Sequence, residues 1–226
     1  MKKKEINLYA LNHLKSKKKY GLETMGIFSS SKWRNDPKGT LFSLARYKFV
    51  SKLLEEKSNV LEVGCGDGWY SSIVAKVVKN LTLSDPNTIF LKDLKMRQSK
   101  LKKKSNFLNH DMLNSPTNRT FDAIYMLDVF EHIKKKDEKF FIKNVIKSLN
   151  ENGILISGTP SLELQKYIKD KDPTHVNCKT AKQLKQFYKK YFNNFFIFSM
   201  NDEVIHTGYD KMACYFIVLC TNPKKI

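Results

Sequence analysis

Apolar residues follow two rhythms along this chain. Between residues 33 and 54, Leu41, Leu44, Ala45, Phe49, Val50 and Leu53 recur at helical spacing after the turn signal Trp33-Arg34-Asn35-Asp36-Pro37, which predicts an amphipathic helix leading into a first strand. Short apolar runs then alternate with helical stretches. Strands are predicted over 59–63, 81–84, 106–109, 121–126 and 154–157, and helices over 70–78, 88–96 and 138–149. That alternation predicts βαβ units and a mostly parallel sheet with helices on both faces. After Pro160 the rhythm changes to a polar loop as far as Lys179, a helix over 181–191, and β-rich runs at 195–200 and 214–220 joined by the polar stretch 201–212. The last two runs predict an antiparallel edge. Near the start, Leu8, Leu11 and Leu14 repeat weakly among lysines, which fits a helix or a mobile arm. With no internal repeat, the chain divides into an N-terminal arm and helical cap over 1–54 and one α/β domain over 55–226.

Composition narrows this picture. A chain of 226 residues that is 41% hydrophobic can bury a real core. Its 41 Lys+Arg against 22 Asp+Glu give a net charge of +19, a balance that suggests nucleic acid or an anionic surface. The arginines are only Arg34, Arg46, Arg97 and Arg119, so the excess is nearly all lysine, a hydrated point charge rather than the bidentate fork that reads bases. The lysines gather in the first 20 residues and around 92–104, 134–147 and 179–190, as a solvated shell would. Nucleic acid is therefore not the expected partner. Cys65, Cys178, Cys214 and Cys220 form no CxxC pair, which argues against a zinc site or a disulfide framework. No run of 18 apolar residues and no signal-type apolar segment occurs, so the expected setting is cytoplasmic and reducing.

In an open parallel sheet, ligands bind beyond the carboxyl ends of the strands. The first strand ends in Glu62-Val63-Gly64-Cys65-Gly66-Asp67-Gly68, where glycines let the backbone turn sharply and approach a ligand closely. Trp69 occupies the third glycine position of the dinucleotide fingerprint, and no GK[ST] follows, so neither a pyrophosphate cradle nor a P-loop fits. Asp85 ends the next strand, where a carboxylate can accept both hydroxyls of a ribose. Asp111-Met112 follows the third strand, offering an acceptor for an adenine amino group and an apolar neighbour. Leu127-Asp128-Val129-Phe130-Glu131-His132-Ile133 follows the fourth.

These motifs, in this order and each at a strand end, resemble those of the class I S-adenosylmethionine-dependent methyltransferases over residues 58 to 160. Within that family the set looks most like the O-methyltransferase branch that includes quinone-biosynthesis and glycan-modifying enzymes. The resemblance implies a Rossmann-like, doubly wound, three-layer α/β/α fold with S-adenosylmethionine as cofactor. It further implies that Gly64, Cys65 and Gly66 approach the methionine moiety while Glu62 helps orient its amino group. Asp85 would hold the ribose, Pro86 would flank the adenine, Asp111 and Met112 would address its edge, and Leu127 and Asp128 would line the methionine side.

The expected reaction is methyl transfer to a small-molecule acceptor at oxygen, a sugar precursor or a quinol-like compound. An alcohol must lose its proton, and the histidines considered for that step are His132, His175 and His206. Asn177, Tyr209 and Tyr47 are the candidate acceptor-binding residues, with Trp33 and Arg46 as possible cover over the pocket. No metal is expected, since no matching set of ligands stands out. Two alternatives remain open: an RNA methyltransferase using the basic surface, and a nucleoside-binding protein without catalysis.

Overall fold

The computed structural model describes residues 3–98 and 105–225, so part of the lysine cluster at 2–4 and part of the charged stretch 92–104 lie outside the described residues. Five parallel strands run β1 (Asn59–Val63), β2 (Asn80–Ser84), β3 (Asn106–Leu108), β4 (Phe121–Leu127) and β5 (Leu149–Pro160). Three more follow, β6 (Phe192–Asn201), β7 (Val204–His206) and β8 (Tyr215–Pro223), and the sheet order is β3-β2-β1-β4-β5-β8-β6-β7. β8 lies antiparallel between β5 and β6, so the reversed strand predicted for the C-terminus is interior, and the short β7 hairpin forms the margin.

Because the strands are covered on both sides, they read as near-continuous apolar runs. Alternate residues of β1 and β4 feed two cores: Leu61, Val63, Ile124 and Met126 on one face, Val60, Ala123, Tyr125 and Leu127 on the other. The first face is covered by α6 (Glu138–Lys147) and α8 (Ala181–Tyr188) through Phe141, Ile142, Val145, Leu184 and Tyr188. The second is covered by α3 (Pro37–Leu53), α4 (Ser72–Ala75) and α5 (Thr88–Gln98) through Tyr47, Val50, Val74, Leu91 and Leu94. Each such buried aliphatic or aromatic side chain contributes about 1.5–3 kcal/mol, which makes the three-layer arrangement the low-energy solution.

Several local outcomes depart from the pattern. Residues 3–20 form a helix, α1 (Lys3–Tyr20), whose described side chains are exposed. The turn predicted at Trp33–Pro37 is a single residue: Asp36 ends α2 (Ile27–Asn35) and caps α3 by accepting from the Gly39 amide, with Pro37 at the first helical position. α3 buries Thr40, Ser43, Tyr47, Val50 and Ser51 against the sheet, while Leu41, Leu44, Ala45 and Phe49 line an open cleft of about 640 Å³. The helix expected over 70–78 is one turn of α-helix, because the glycine loop uses most of the chain between β1 and β2. Asn152-Gly153 lies in a bulge inside β5, where the pairing steps from Phe121↔Leu149 to Ala123↔Ile154.

Candidate active site

The glycine loop after β1 is held by the neighbouring strand, since the amides of Gly64 and Cys65 both donate to the Ser84 carbonyl. Gly64 adopts φ +74°, and a Cβ there would fall 2.4 Å from Val129 Cγ2. Gly66 adopts φ +54°, and a Cβ there would point into open space. The Gly66 amide donates to Asp85 Oδ2 at 2.9 Å and the Asn87 amide to Oδ1 at 2.8 Å, so the acid is fixed before any ligand arrives. Burial pushes its carboxyl above the usual aspartate value, and the two amides partly offset this. Asn109 Nδ2 donates to the carbonyls of Asp85 and exposed Pro86, joining the ends of β2 and β3. Asp111 is half-buried and accepts from the Leu113 amide, whereas Met112, expected at the adenine edge, has its side chain in the core at 1% exposure.

Glu62 lies beneath the loop, fully enclosed, with Oε1 accepting from Tyr47 Oη and Oε2 from Tyr125 Oη, each at 2.6 Å. Burial raises the Glu62 carboxyl, and the hydrogen bonds from Tyr125 and Tyr47 oppose the rise. Tyr47, expected to touch an acceptor, is thus a buried partner of Glu62. Both Glu62 oxygens carry a phenol, which braces the loop from below. Cys65 is also buried, and burial followed by Glu62 raises its thiol far above the reactive range.

Leu127 is buried at the end of β4, and Asp128 follows with φ +56°, a strained value for a non-glycine residue. Its amide is held by the Gly158 carbonyl and Tyr215 Oη. Arg46 Nη1 reaches both Asp128 oxygens, at 3.0 and 2.9 Å, while its guanidinium lies 3.7 Å from the centre of the Tyr215 ring. Burial works against the arginine's charge, but Asp128 and Tyr215 outweigh it and hold its pKa above the ordinary value. Arg46 Nε is buried and has no partner among the described residues.

Beyond Asp128, a 3₁₀ turn over Phe130–His132 aligns the next groups. Glu131 is 0% exposed, with Oε2 accepting from Thr159 Oγ1 and Oε1 without a partner among the described residues. Burial and then the Asp128 charge push its carboxyl well above the usual range. His132 Nδ1 bonds the Thr174 carbonyl, which can only accept, so this nitrogen carries the proton and Nε2 is left as the basic one. The His132 and His175 rings meet edge to face with centroids 5.1 Å apart. Glu131, His132 and His175 each offer a ligand atom within 4.8 Å of the others'. One carboxylate and two imidazoles form a donor set that suits a divalent cation. Spacing offers no hint of this set, because His175 lies 43 positions beyond His132.

Asn177 is what joins them. Its amide donates to the Glu131 carbonyl, its Nδ2 to the Ile133 carbonyl and Glu138 Oε1, and its Oδ1 accepts from Lys179 Nζ, which also pairs with Glu138. The residue expected to contact an acceptor is a strut that draws the 172–179 loop onto the 131–138 segment. His206 and Tyr209 are not brought to the cluster. His206 is on β7, three strands beyond β5 or about 14 Å across the sheet, with Nε2 on Asn201 Oδ1. Tyr209 projects into solvent at 79% exposure.

The N-terminal cap reaches this site directly. Ser29, on the first turn of α2, donates its amide and hydroxyl to the Asp67 carboxylate in the glycine loop. Nothing in the sequence singles out Ser29, which is one of three consecutive serines.

Comparison with known proteins places the chain in a family. The methyltransferase-domain family matches residues 38–191. Ubiquinone biosynthesis O-methyltransferase of Rickettsia canadensis (strain McKiel) is 27% identical over 124 residues, 55% of this chain and 50% of that protein. The mitochondrial enzyme of the same name from Schizosaccharomyces pombe is 23% identical over 132 residues, 55% of this chain and 47% of its own. The chain thus spans about half the length of the curated relatives it matches. Among solved structures, an S-adenosylmethionine-dependent methyltransferase from Clostridium acetobutylicum ATCC 824 aligns with TM-score 0.66 at 16% identity, covering 86% of this chain and 97% of that one. The N-methyltransferase NodS from Bradyrhizobium japonicum WM9, in complex with S-adenosyl-L-homocysteine, aligns with TM-score 0.61 at 18% identity, covering 85% and 91%. These likenesses establish the Rossmann-like fold, and with the match over most of its length the chain belongs to the methyltransferase-domain family.

Proposed function

We propose that this protein transfers the methyl group of S-adenosylmethionine to a hydroxyl of a small molecule. The observation that carries the reading is the adjacency, at the ends of β1, β2 and β4, of a preorganised ribose carboxylate and a group of proton-accepting side chains. Gly64–Gly68 and Asp85 would receive the donor, with the open space over Gly66 as its seat and Asp111 at the adenine side. Leu127 and Asp128 would bound the methionine side.

The acceptor belongs at Glu131, His132 and His175. Methyl transfer from a sulfonium is an in-line displacement, so the main task is to hold the acceptor oxygen against the methyl carbon in a pocket free of water. His132 Nε2 takes the hydroxyl proton, while the Thr174 carbonyl fixes the ring. Where Glu131, His132 Nε2 and His175 instead hold a divalent cation, the cation would take over from the base by lowering the pKa of a bound hydroxyl, whose proton would pass to solvent. This donor set argues against the expectation of no metal. A quinol-like acceptor with neighbouring hydroxyls fits such a site, in keeping with the O-methyltransferase relatives. Four free cysteines accord with the expected cytoplasmic setting.

The test is transfer of labelled methyl from S-adenosylmethionine to a panel of small mono- and dihydroxy aromatic compounds and sugars. An O-methylated product, lost in His132→Ala, supports the proposal. Transfer confined to amines or to RNA would contradict it.

A further inference from the structure

The sheet ends on a strand that is only partly covered. β6 pairs with β8 along its length, from Phe192↔Pro223 to Met200↔Tyr215. On its other side β7 reaches only Ser199, Met200 and Asn201. Among the described residues nothing pairs with Phe192–Phe198 there, so alternate backbone N–H and C=O groups of this segment face outward. Proteins commonly blunt such an edge with lysine, proline, a bulge or a very short strand. β6 has none of these. Its 10 residues, Phe192–Asn201, are uncharged and contain no proline, in a chain that is 28% charged. Phe196 is 57% exposed on this strand, an aromatic side chain left bare by the helices that cover the sheet. It shares a face with Phe198, which meets Phe49 of α3 edge to face at 5.1 Å. Phe49 lines the open cleft together with Leu41, Leu44 and Ile205, so apolar surface runs from that cleft toward the open edge.

We propose that the open edge of β6 pairs antiparallel with β6 of a second copy of this chain, making one continuous sheet across a two-fold axis. An edge strand is complementary to itself in that orientation, because outward N–H groups meet outward C=O groups when the same segment is reversed. Charge selects the same arrangement. The segment is preceded by exposed Lys189 and Lys190 and followed by exposed Asp202 and Glu203. Reversal carries each basic flank toward the acidic flank of the other copy, whereas a parallel partner would set lysine against lysine. With Phe195 at the midpoint of the open segment, the two copies of Lys190 stand about 33 Å apart, several times the screening length of about 8 Å at physiological salt. The Phe196 ring and the margin of the cleft add apolar area that a bare edge lacks. β6 lies three strands, about 14 Å, from β4, so the pairing leaves the candidate active site open.

The experiment is sedimentation velocity of the full chain across a range of concentrations, for wild type, Phe196→Lys, Asn194→Lys and Leu11→Lys. Asn194 is exposed on the same open segment, and Leu11 is exposed on α1. Wild type and Leu11→Lys are expected to form a particle of twice 26.4 kDa, while each lysine placed on the edge weakens association by roughly 10-fold or more. Hydrogen exchange of wild type at low and high concentration gives a reading that needs no variant, since amides of Phe192–Phe198 should gain protection as the dimer forms. A wild type that stays monomeric into the millimolar range overturns the assignment. So does a dimer that survives both edge lysines, or concentration-dependent protection that gathers on α1 instead of β6.

Discussion

The Gly66 amide donates to the Asp85 carboxylate across 2.9 Å, so the loop after β1 and the acid after β2 behave as one rigid receptor. Removing the acid should therefore affect donor binding more than folding. Asp85→Ala is expected to weaken S-adenosylhomocysteine binding by about 1–3 kcal/mol through the lost charge-assisted hydrogen bonds. Calorimetry checks this, and unchanged affinity would reduce Asp85 to a turn residue.

A pH dependence follows from the same carboxyl. Burial holds its folded-state pKa above the ordinary aspartate value of 3.8. The folded apo protein therefore binds this proton more readily than the unfolded chain, and apo stability falls as pH rises through the folded-state value. The donor needs the ionised form, so its affinity should decline as pH is lowered from neutrality through that same value. In Asp85→Asn this component should vanish. An identical pH profile in the variant would assign the titration to another group.

Gly64 and Gly66 should separate folding from binding. Gly64→Ala combines a left-handed backbone with a Cβ 2.4 Å from Val129, and a loss of about 1–3 kcal/mol in urea unfolding is expected. Gly66→Ala meets nothing in the protein, so about 1 kcal/mol of backbone strain is its folding cost. Its methyl would occupy space assigned to the donor, so binding should fall far more than stability. Normal donor affinity in Gly66→Ala would place the donor elsewhere.

Tyr47→Phe and Tyr125→Phe each strip one short hydrogen bond from a carboxylate with no access to water. Each should cost about 1–3 kcal/mol of stability, and the double variant should depart from additivity because both phenols serve one acid. Chemical denaturation of the three variants tests this. A near-neutral effect of both would show that Glu62 is protonated and needs only one partner.

The Glu131, His132 and His175 set predicts a metal requirement. Exhaustive chelation should abolish methyl transfer, magnesium or manganese should restore it, and His175→Ala should weaken manganese binding measured directly by calorimetry. His206→Ala should behave as wild type in both assays. Full activity after chelation would leave His132 as a simple base.

Much of this was legible in the sequence because the informative residues sit where strands end. The apolar runs located five parallel strands, and glycine, aspartate and histidine stand just beyond their carboxyl ends, where the candidate site lies. Spacing could not reveal what three-dimensional closure brings together. His175 reaches His132 only because Asn177 ties its loop down, and Asn177 and Tyr47 looked like acceptor residues because a polar group in a loop or cap resembles a contact until its partners are seen. The stripe Leu41, Leu44, Ala45 and Phe49 predicted α3 correctly but not its buried face, which the Tyr47–Glu62 bond helps orient. The +19 charge carried less information than its size suggests, since it says nothing of Arg46, the buried cation that pairs with Asp128.

The central claim is that the pocket formed by Gly64–Gly68 and Asp85 takes an S-adenosyl donor, and titration of the wild-type protein with S-adenosylhomocysteine and NAD tests it most directly. Saturable one-to-one binding of S-adenosylhomocysteine, with none of NAD, is the predicted result. Tight NAD binding without S-adenosylhomocysteine binding would contradict it.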